Sequence, residues 1–168
     1  MHTDDPVESI MHLLRDEWEP DNTHGVTPRT HTGWFDFGAG GQQVTVTNPR
    51  EDPVGGGDTG WTAVGPGGRG VQLRVGSLDV NCWPGTREDT ASIDGGVNPK
   101  ALSHAMKNEV VRIIADHDHG VIDGDPVFNS LAPTSTQRIP DQEGASTIYR
   151  WLIETRYTYH ATRTDETE

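Results

Sequence analysis

Apolar residues recur along the chain with two periods, one typical of helices and the other of strands. Spacings of three and four residues predict a helix over residues 6–18 and a second over 99–117. Each helix starts with a capping residue and a proline, Asp5-Pro6 and Asn98-Pro99. Strands are predicted, by alternation of apolar and polar residues, at 33–37, 42–47, 71–83 and 147–162.

The strand at 71–83 changes phase near its middle. Apolar residues fall on odd positions up to Val75 and on even positions from Leu78 to Cys82. We expect a bulge or tight bend at Gly76-Ser77 that returns both halves to one buried face. Cys82, the single cysteine, then lies in mid-strand as a small buried hydrophobe.

The last strand shows the alternation of a half-exposed antiparallel strand. One face carries Tyr149, Trp151, Ile153, Tyr157 and Tyr159, and the other carries Arg150, Glu154, Arg156 and His160. An edge strand over 127–137 is also predicted, although Pro126 and Pro133 weaken it. Together the elements predict an α+β fold in which two main helices pack on a sheet.

Residues 48–70 hold eight glycines and are predicted to form a long flexible loop. Trp61 within it is a large apolar side chain that something must cover, so we expect it to anchor a contact with a neighbouring subunit. The chain is expected to fold as one domain over 1–168, with a frayed tail at 164–168.

The charge of the chain is strongly negative. Its 168 residues carry a formal net charge of −13, and Lys100 and Lys107 are the only lysines among 13 basic residues. Such a surface repels itself in dilute buffer but is screened in molar salt, where the Debye length is about 3 Å. We therefore expect a protein from a haloarchaeal cytoplasm or from a virus that assembles there; an ordinary acidic protein that favours arginine is the alternative.

Composition also narrows the class of partner. The acidic chain has no basic stripe to grip a phosphate backbone, and no segment approaches the roughly 20 apolar residues that span a bilayer. No signal peptide is visible at the N-terminus. A soluble, intracellular protein is expected.

Catalytic motifs are weak in this sequence. Asp58-Thr59-Gly60 lacks the apolar strand that precedes it in aspartic proteases, and the glycine-rich run 65–70 lacks the Lys-Ser/Thr of a phosphate loop. Weak candidates for metal ligands lie at the end of the second helix. They follow Asp116 and are His117, Asp118, His119, Asp123 and Asp125. Their spacing fits no standard metal motif, and a solvated helix exit is the favoured interpretation. We expect no enzyme activity, no cofactor and no metal.

The order of elements resembles the tail-completion or tail-terminator proteins of long-tailed viruses. The resemblance lies in an N-terminal amphipathic helix, the strand "VQLRVGSLDVNCW", the helix "NPKALSHAMKNEVVRIIADH" and the ending "STQRIPDQEGASTIYRWLIETRYTYHATR". Family members commonly have an aromatic residue and an arginine near the start of the last strand, where Tyr149 and Arg150 stand here. The resemblance thus implies that these two residues contact a neighbouring subunit.

The resemblance also implies a fold and a role. Family members fold as a twisted antiparallel sheet with helices on one side, and they form hexameric rings in the neck of the virion. Such a ring caps the tail tube, joins it to the connector or stopper protein of the capsid vertex, and lets viral DNA pass through its lumen without specific binding. Another neck component, an adaptor or stopper, is an alternative, and a small haloarchaeal metal-binding or enzymatic domain is an alternative from a different class.

Overall fold

A computed structural model of the chain describes residues 5–54, 62–64, 69–93, 95–122, 125–143 and 146–162. Its helices are α1 (Pro6–Glu17), α2 (Arg87–Ala91) and α3 (Pro99–Asp116), with a 3₁₀ turn at Pro20–Thr23. Its strands are β1 (Arg29–Thr32), β2 (Gln43–Val54), β3 (Thr62–Val64), β4 (Arg69–Trp83), β5 (Val121–Ile122), β6 (Asp125–Pro126), β7 (Ser130–Glu143) and β8 (Ser146–Thr162). The predicted α+β class is confirmed.

Six strands form the main sheet, in the order β1-β2-β4-β8-β7, with β3 also paired to β4. Strands β5 and β6 form a separate two-stranded sheet. The main sheet is antiparallel, as predicted, except at its edge, where the short strand β1 pairs with β2 in parallel. Strands β7 and β8 form a long hairpin. Its pairs from Ile139–Arg150 to Glu143–Ser146 extend beyond β4, because the last pair between β4 and β8 is Cys82–Trp151.

Both main helices pack on the same face of this sheet, as predicted. Asp5 caps α1 by accepting a hydrogen bond from the Val7 amide, and Asn98 caps α3 in the same way through the Lys100 amide. The helices and the strands share one core, which includes Ile10, Leu14, Leu102, Met106, Val110, Ile113, Val44, Val46, Leu78, Val80, Cys82, Ile153 and Tyr157. The buried Cys82 confirms the predicted role of that residue, and burial raises the pKa of its thiol.

The predicted bulge lies in β2 and not in β4. Strand β4 pairs with β8 without a break, whereas one extra residue of β2 is accommodated between Thr47 and Arg50. The buried face of β4 therefore stays on even positions throughout, and Leu73 and Val75 lie on the opposite face. The bulge instead reverses the parity of β2, which brings Glu51 onto the helix-covered face.

A tyrosine crosses β4 at Gly76 on this covered face. The Tyr157 ring leaves no room for a side chain, because a Cβ on Gly76 would overlap the Tyr157 hydroxyl. That hydroxyl donates a hydrogen bond to Glu51, which also accepts one from Tyr159 and forms an ion pair with Arg74. Burial and the Glu51 carboxylate raise the pKa of Tyr157.

Several predicted boundaries were wrong for local reasons. Strand β2 continues through Asn48-Pro49 by means of the bulge, so part of the predicted loop 48–70 is strand, as are Thr62–Val64 and the start of β4. The edge strand predicted at 127–137 is β7, which starts at Ser130 and extends to Glu143 despite its prolines, because it lies at the edge of the sheet. The short helix α2 was not predicted; a capping box between Thr86 and Asp89 starts it.

A buried glutamate joins α3 to the segment that follows α1. Glu109 is almost fully buried, and it accepts hydrogen bonds from the Glu19 amide, the Asn22 side chain and Arg112. Burial alone would raise the pKa of Glu109, but these hydrogen bonds and the Arg112 charge outweigh it and hold the pKa below its usual value.

Candidate interaction surface

The face of the sheet opposite α1 and α3 carries polar and aromatic side chains. We call it the open face, because in the described part of the chain no helix packs on it. Its residues lie in rows across β2, β4, β8 and β7, and each row follows from the strand register. Successive rows on one face are two residues apart along each strand, or roughly 7 Å.

Aromatic side chains cover one end of the open face. The segment 33–41, which links β1 to β2, folds over the end of β4 and places the buried Phe35 on the buried Trp83, with ring centroids 5.4 Å apart. Trp34 meets the Trp83 ring edge-on at 4.8 Å, and Phe37 meets Phe35 in the same manner at 4.7 Å. We call Trp34, Phe35, Phe37 and Trp83 the aromatic platform.

The strand predicted at 33–37 is therefore wrong. Gly33 and Gly40 adopt left-handed backbone angles, which interrupt an extended conformation. The Asp36 carboxylate accepts hydrogen bonds from the Gly38 and Ala39 amides, and these hydrogen bonds stabilise a turn over residues 36–39. These backbone hydrogen bonds, led by the one from Ala39, hold the pKa of Asp36 below its usual value despite some burial, and Arg29 assists them.

Gln43 fixes the segment to the sheet. Its side chain is fully buried, and its Oε1 atom accepts a hydrogen bond of 2.8 Å from the Asp36 amide. Its Nε2 atom donates to the carbonyl oxygens of Asp36 and Gly40, at 2.8 Å and 3.0 Å. The His31 ring lies 2.8 Å from Gln43 Oε1. One side chain at the start of β2 thus determines where the platform lies.

An arginine from the hairpin completes the platform. The Arg150 guanidinium lies 4.8 Å from the Trp34 ring centroid and 5.2 Å from that of Trp83, and it donates a hydrogen bond to Asn81. Contacts of this kind hold a cation over an aromatic face. The platform and strand β8 of the β7–β8 hairpin are therefore physically connected.

Two members of the platform remain exposed to solvent. Trp34 keeps 56% and Phe37 keeps 48% of their surface, and they are the exposed large hydrophobic residues in the described part of the chain. Tryptophan and arginine are enriched at the centres of protein interfaces, where they supply large, rigid contact area. Such a surface can bind another protein by burying the two exposed rings.

The structure separates the predicted contact residues. Arg150 lies on the open face, whereas Tyr149 lies on the helix side, with the Lys100 ammonium 4.7 Å from its ring centroid. Trp61 lies outside the described residues. Trp34, Phe37 and Trp83 were not predicted as contact residues. The available signal was the three aromatic residues between glycines in "GWFDFG", which instead led to the prediction of a strand.

The weak metal candidates lie at the end of α3 and in the segment that follows it. His117 caps the end of α3 and pairs with Glu17 at 3.2 Å, and the His119 ring lies 3.2 Å from the Phe128 carbonyl oxygen. Asp118 lies 3.7 Å from His119, while Asp125 is in β6 and Asp123 lies outside the described residues. Among the residues that the structure describes, no group of three or more potential ligands converges.

No known protein family matches the chain, and no curated protein is significantly similar to it. None of the described helices is both long enough and apolar enough to cross a membrane.

Proposed function

We propose that this chain is a non-catalytic structural subunit that acts by assembling with copies of itself and with other virion proteins. Specifically, it forms the tail-terminator ring in the neck of a long-tailed virus of haloarchaea. The ring, with six copies, joins the tail tube to the connector at the capsid vertex and lets DNA pass through its lumen. Its localisation is the top of the tail in the virion, after assembly in the host cytoplasm.

The aromatic platform is the observation that carries this proposal. A free subunit that exposes Trp34 and Phe37 on a firmly fixed base presents a surface suited to a protein partner. The hairpin supplies Arg150 to the same surface, and its described pairs from Ile139–Arg150 to Glu143–Ser146 extend beyond β4, where a neighbouring subunit can reach them. The net charge of −13 supports a lumen that repels DNA and a protein that works in concentrated salt.

The particle mass in molar salt tests the proposal. Because Trp34 is more than half exposed, Trp34→Ala should leave the fold intact but remove the more exposed of the two aromatic side chains, so the six-copy assembly should dissociate into smaller species. Trp34→Phe keeps an aromatic side chain at this position and should still form the six-copy assembly. Light scattering after size-exclusion chromatography measures both, with circular dichroism as the check on folding.

Two results would contradict the proposal. One is an unchanged particle mass in Trp34→Ala together with unchanged binding to purified tail-tube and connector proteins. The other is a monomeric wild-type chain that binds a metal stoichiometrically or turns over a small substrate, which would favour the enzymatic alternative.

A further inference from the structure

Beyond the platform, the open face carries opposite charges in adjacent rows. Asp79 of β4 and Glu154 of β8 are directly paired in the register, and we call them the acidic row. The next row contains Arg50 of β2 and Arg156 of β8, with Ser77 paired to both, and we call these two arginines the basic row. The two rows lie roughly 7 Å apart along the strands.

The residues that the structure describes leave three of these four charges without an ion-pair partner. In the described ranges, Asp79, Glu154 and Arg156 form no ion pair, and Arg50 pairs with Asp52 at a position where both side chains are mostly exposed. Like charges directly opposite one another destabilise an antiparallel pair, which is the situation of the acidic row. Burial and the Glu154 charge raise the pKa of Asp79, although Arg150 acts in the other direction.

A groove of about 290 Å³ runs along the basic row. Its lining residues are Arg50, Asp52, Val75, Gly76, Ser77 and Arg156. Asp52 already pairs with Arg50, which leaves Arg156 as the guanidinium of this groove without an ion-pair partner among the described residues. A carboxylate from another molecule fits beside Arg156. The same face provides carboxylates one row away.

We propose that the open face binds the open face of a second copy of this chain, related to the first by a two-fold axis. An axis that lies between the two rows and runs parallel to them places Glu154 of each copy against Arg156 of the other, because both residues belong to β8. Asp79 of each copy then faces Ser77 of the other, beside its arginines. The half-buried Leu152 and Val75 flank the charged rows on either side.

The area is sufficient for a specific pair. The four strands β2, β4, β8 and β7, about 4.8 Å apart, and the four rows that the axis pairs, about 7 Å apart, give a face of roughly 540 Å² per copy. The total of about 1,100 Å² is just above the roughly 1,000 Å² expected of a specific interface. Two sheets that pack face to face in this way form a sandwich with about 10 Å between them. The rotation leaves the two aromatic platforms at opposite ends of the pair, so pairing is separate from the proposed ring contact.

Exchange of charges between the two rows tests the pairing. Glu154→Arg or Arg156→Glu alone replaces both attractive contacts of the pair with repulsive ones and should weaken self-association by at least about tenfold. A mixture of the two variants should form a mixed pair, and the double variant Glu154→Arg/Arg156→Glu should recover the wild-type affinity. Arg87→Glu and Glu88→Arg in α2 are exposed, change the net charge equally, and should have little effect.

Sedimentation equilibrium of each variant, in the wild-type and the Trp34→Ala backgrounds, gives the dissociation constants. The Trp34→Ala background removes the proposed ring contact, so a failure of the ring and a failure of the pair are distinguishable. Because each copy carries a net charge of −13 that repels a second copy in dilute buffer, all variants are compared at the same molar salt concentration. A chain that stays monomeric in the Trp34→Ala background, row variants that act no more strongly than the α2 controls, or a double variant without recovery would each overturn the proposal.

Discussion

Removal of the Gln43 side chain should release the aromatic platform from the sheet. In Gln43→Ala the segment 33–41 loses three hydrogen bonds, with the Asp36 amide, the Asp36 carbonyl and the Gly40 carbonyl. A buried hydrogen bond contributes about 1 kcal/mol net, so the free energy of unfolding should fall by about 3 kcal/mol. For a domain of this size, that corresponds to a fall in melting temperature of roughly 6–12 °C.

The same substitution should have a local signature. Trp83 is 1% exposed because Phe35 lies on it, and release of the segment gives water access to its indole ring. The tryptophan fluorescence of folded Gln43→Ala should therefore shift to longer wavelength, and its ring assembly should weaken even though Trp34 is present.

The neighbouring residue provides a matched control. Gln42 donates a single hydrogen bond of 3.2 Å to the Pro84 carbonyl, so Gln42→Ala should cost no more than about 1 kcal/mol and leave the fluorescence unchanged. Chemical denaturation in molar salt measures both variants. If the free energy of unfolding of Gln43→Ala lies within about 0.5 kcal/mol of the wild-type value and its tryptophan fluorescence shows that Trp83 stays shielded from water, Gln43 does not hold the platform in place.

Three further predictions concern the core. Gly76→Ala should destabilise the chain by about 2 kcal/mol or more in thermal melts, because its Cβ would overlap the Tyr157 ring, and wild-type stability would show that the ring moves at no cost. Because the pKa of Glu109 is lowered, its carboxylate stabilises the folded chain at every pH above its usual pKa of 4.5, and this stabilisation is lost as the pH falls through the lowered pKa. Glu109→Gln should therefore have a lower free energy of unfolding at neutral pH, and that free energy should depend less on acid. Parallel profiles of stability against pH for the variant and the wild type would refute this. Cys82 should react with thiol reagents only at the rate of unfolding, because its thiol is fully buried and its pKa is raised, and fast reaction of the folded chain would contradict the structure.

The sequence was sufficient to predict the segments in which the periodicity of apolar residues and the residues that start or end an element indicate the same structure. Asp5-Pro6 and Asn98-Pro99 mark the starts of α1 and α3, and the alternation in β8 assigns its two faces correctly. In these segments the local preference and the tertiary environment favour the same conformation.

Other elements depend on neighbours that are distant in sequence. Asn48-Pro49 is a turn signal by itself, yet β2 continues through it because β4 pairs with both sides of the bulge. The aromatic residues of 33–37 suggest a strand, but the buried Trp83 provides an apolar base for them and Gln43 binds their backbone. The candidate surface was missed for the same reason, since Trp34, Trp83 and Arg150 meet only after β4 and β8 have paired.

The native mass of the purified wild-type chain in molar salt tests the central claim most directly. A self-assembling ring subunit should give a closed particle of several copies, with six times the 18.4 kDa of the monomer as the expected mass. A particle that stays at one or two copies at every concentration, and in the presence of tail-tube and connector proteins, would contradict the proposed ring.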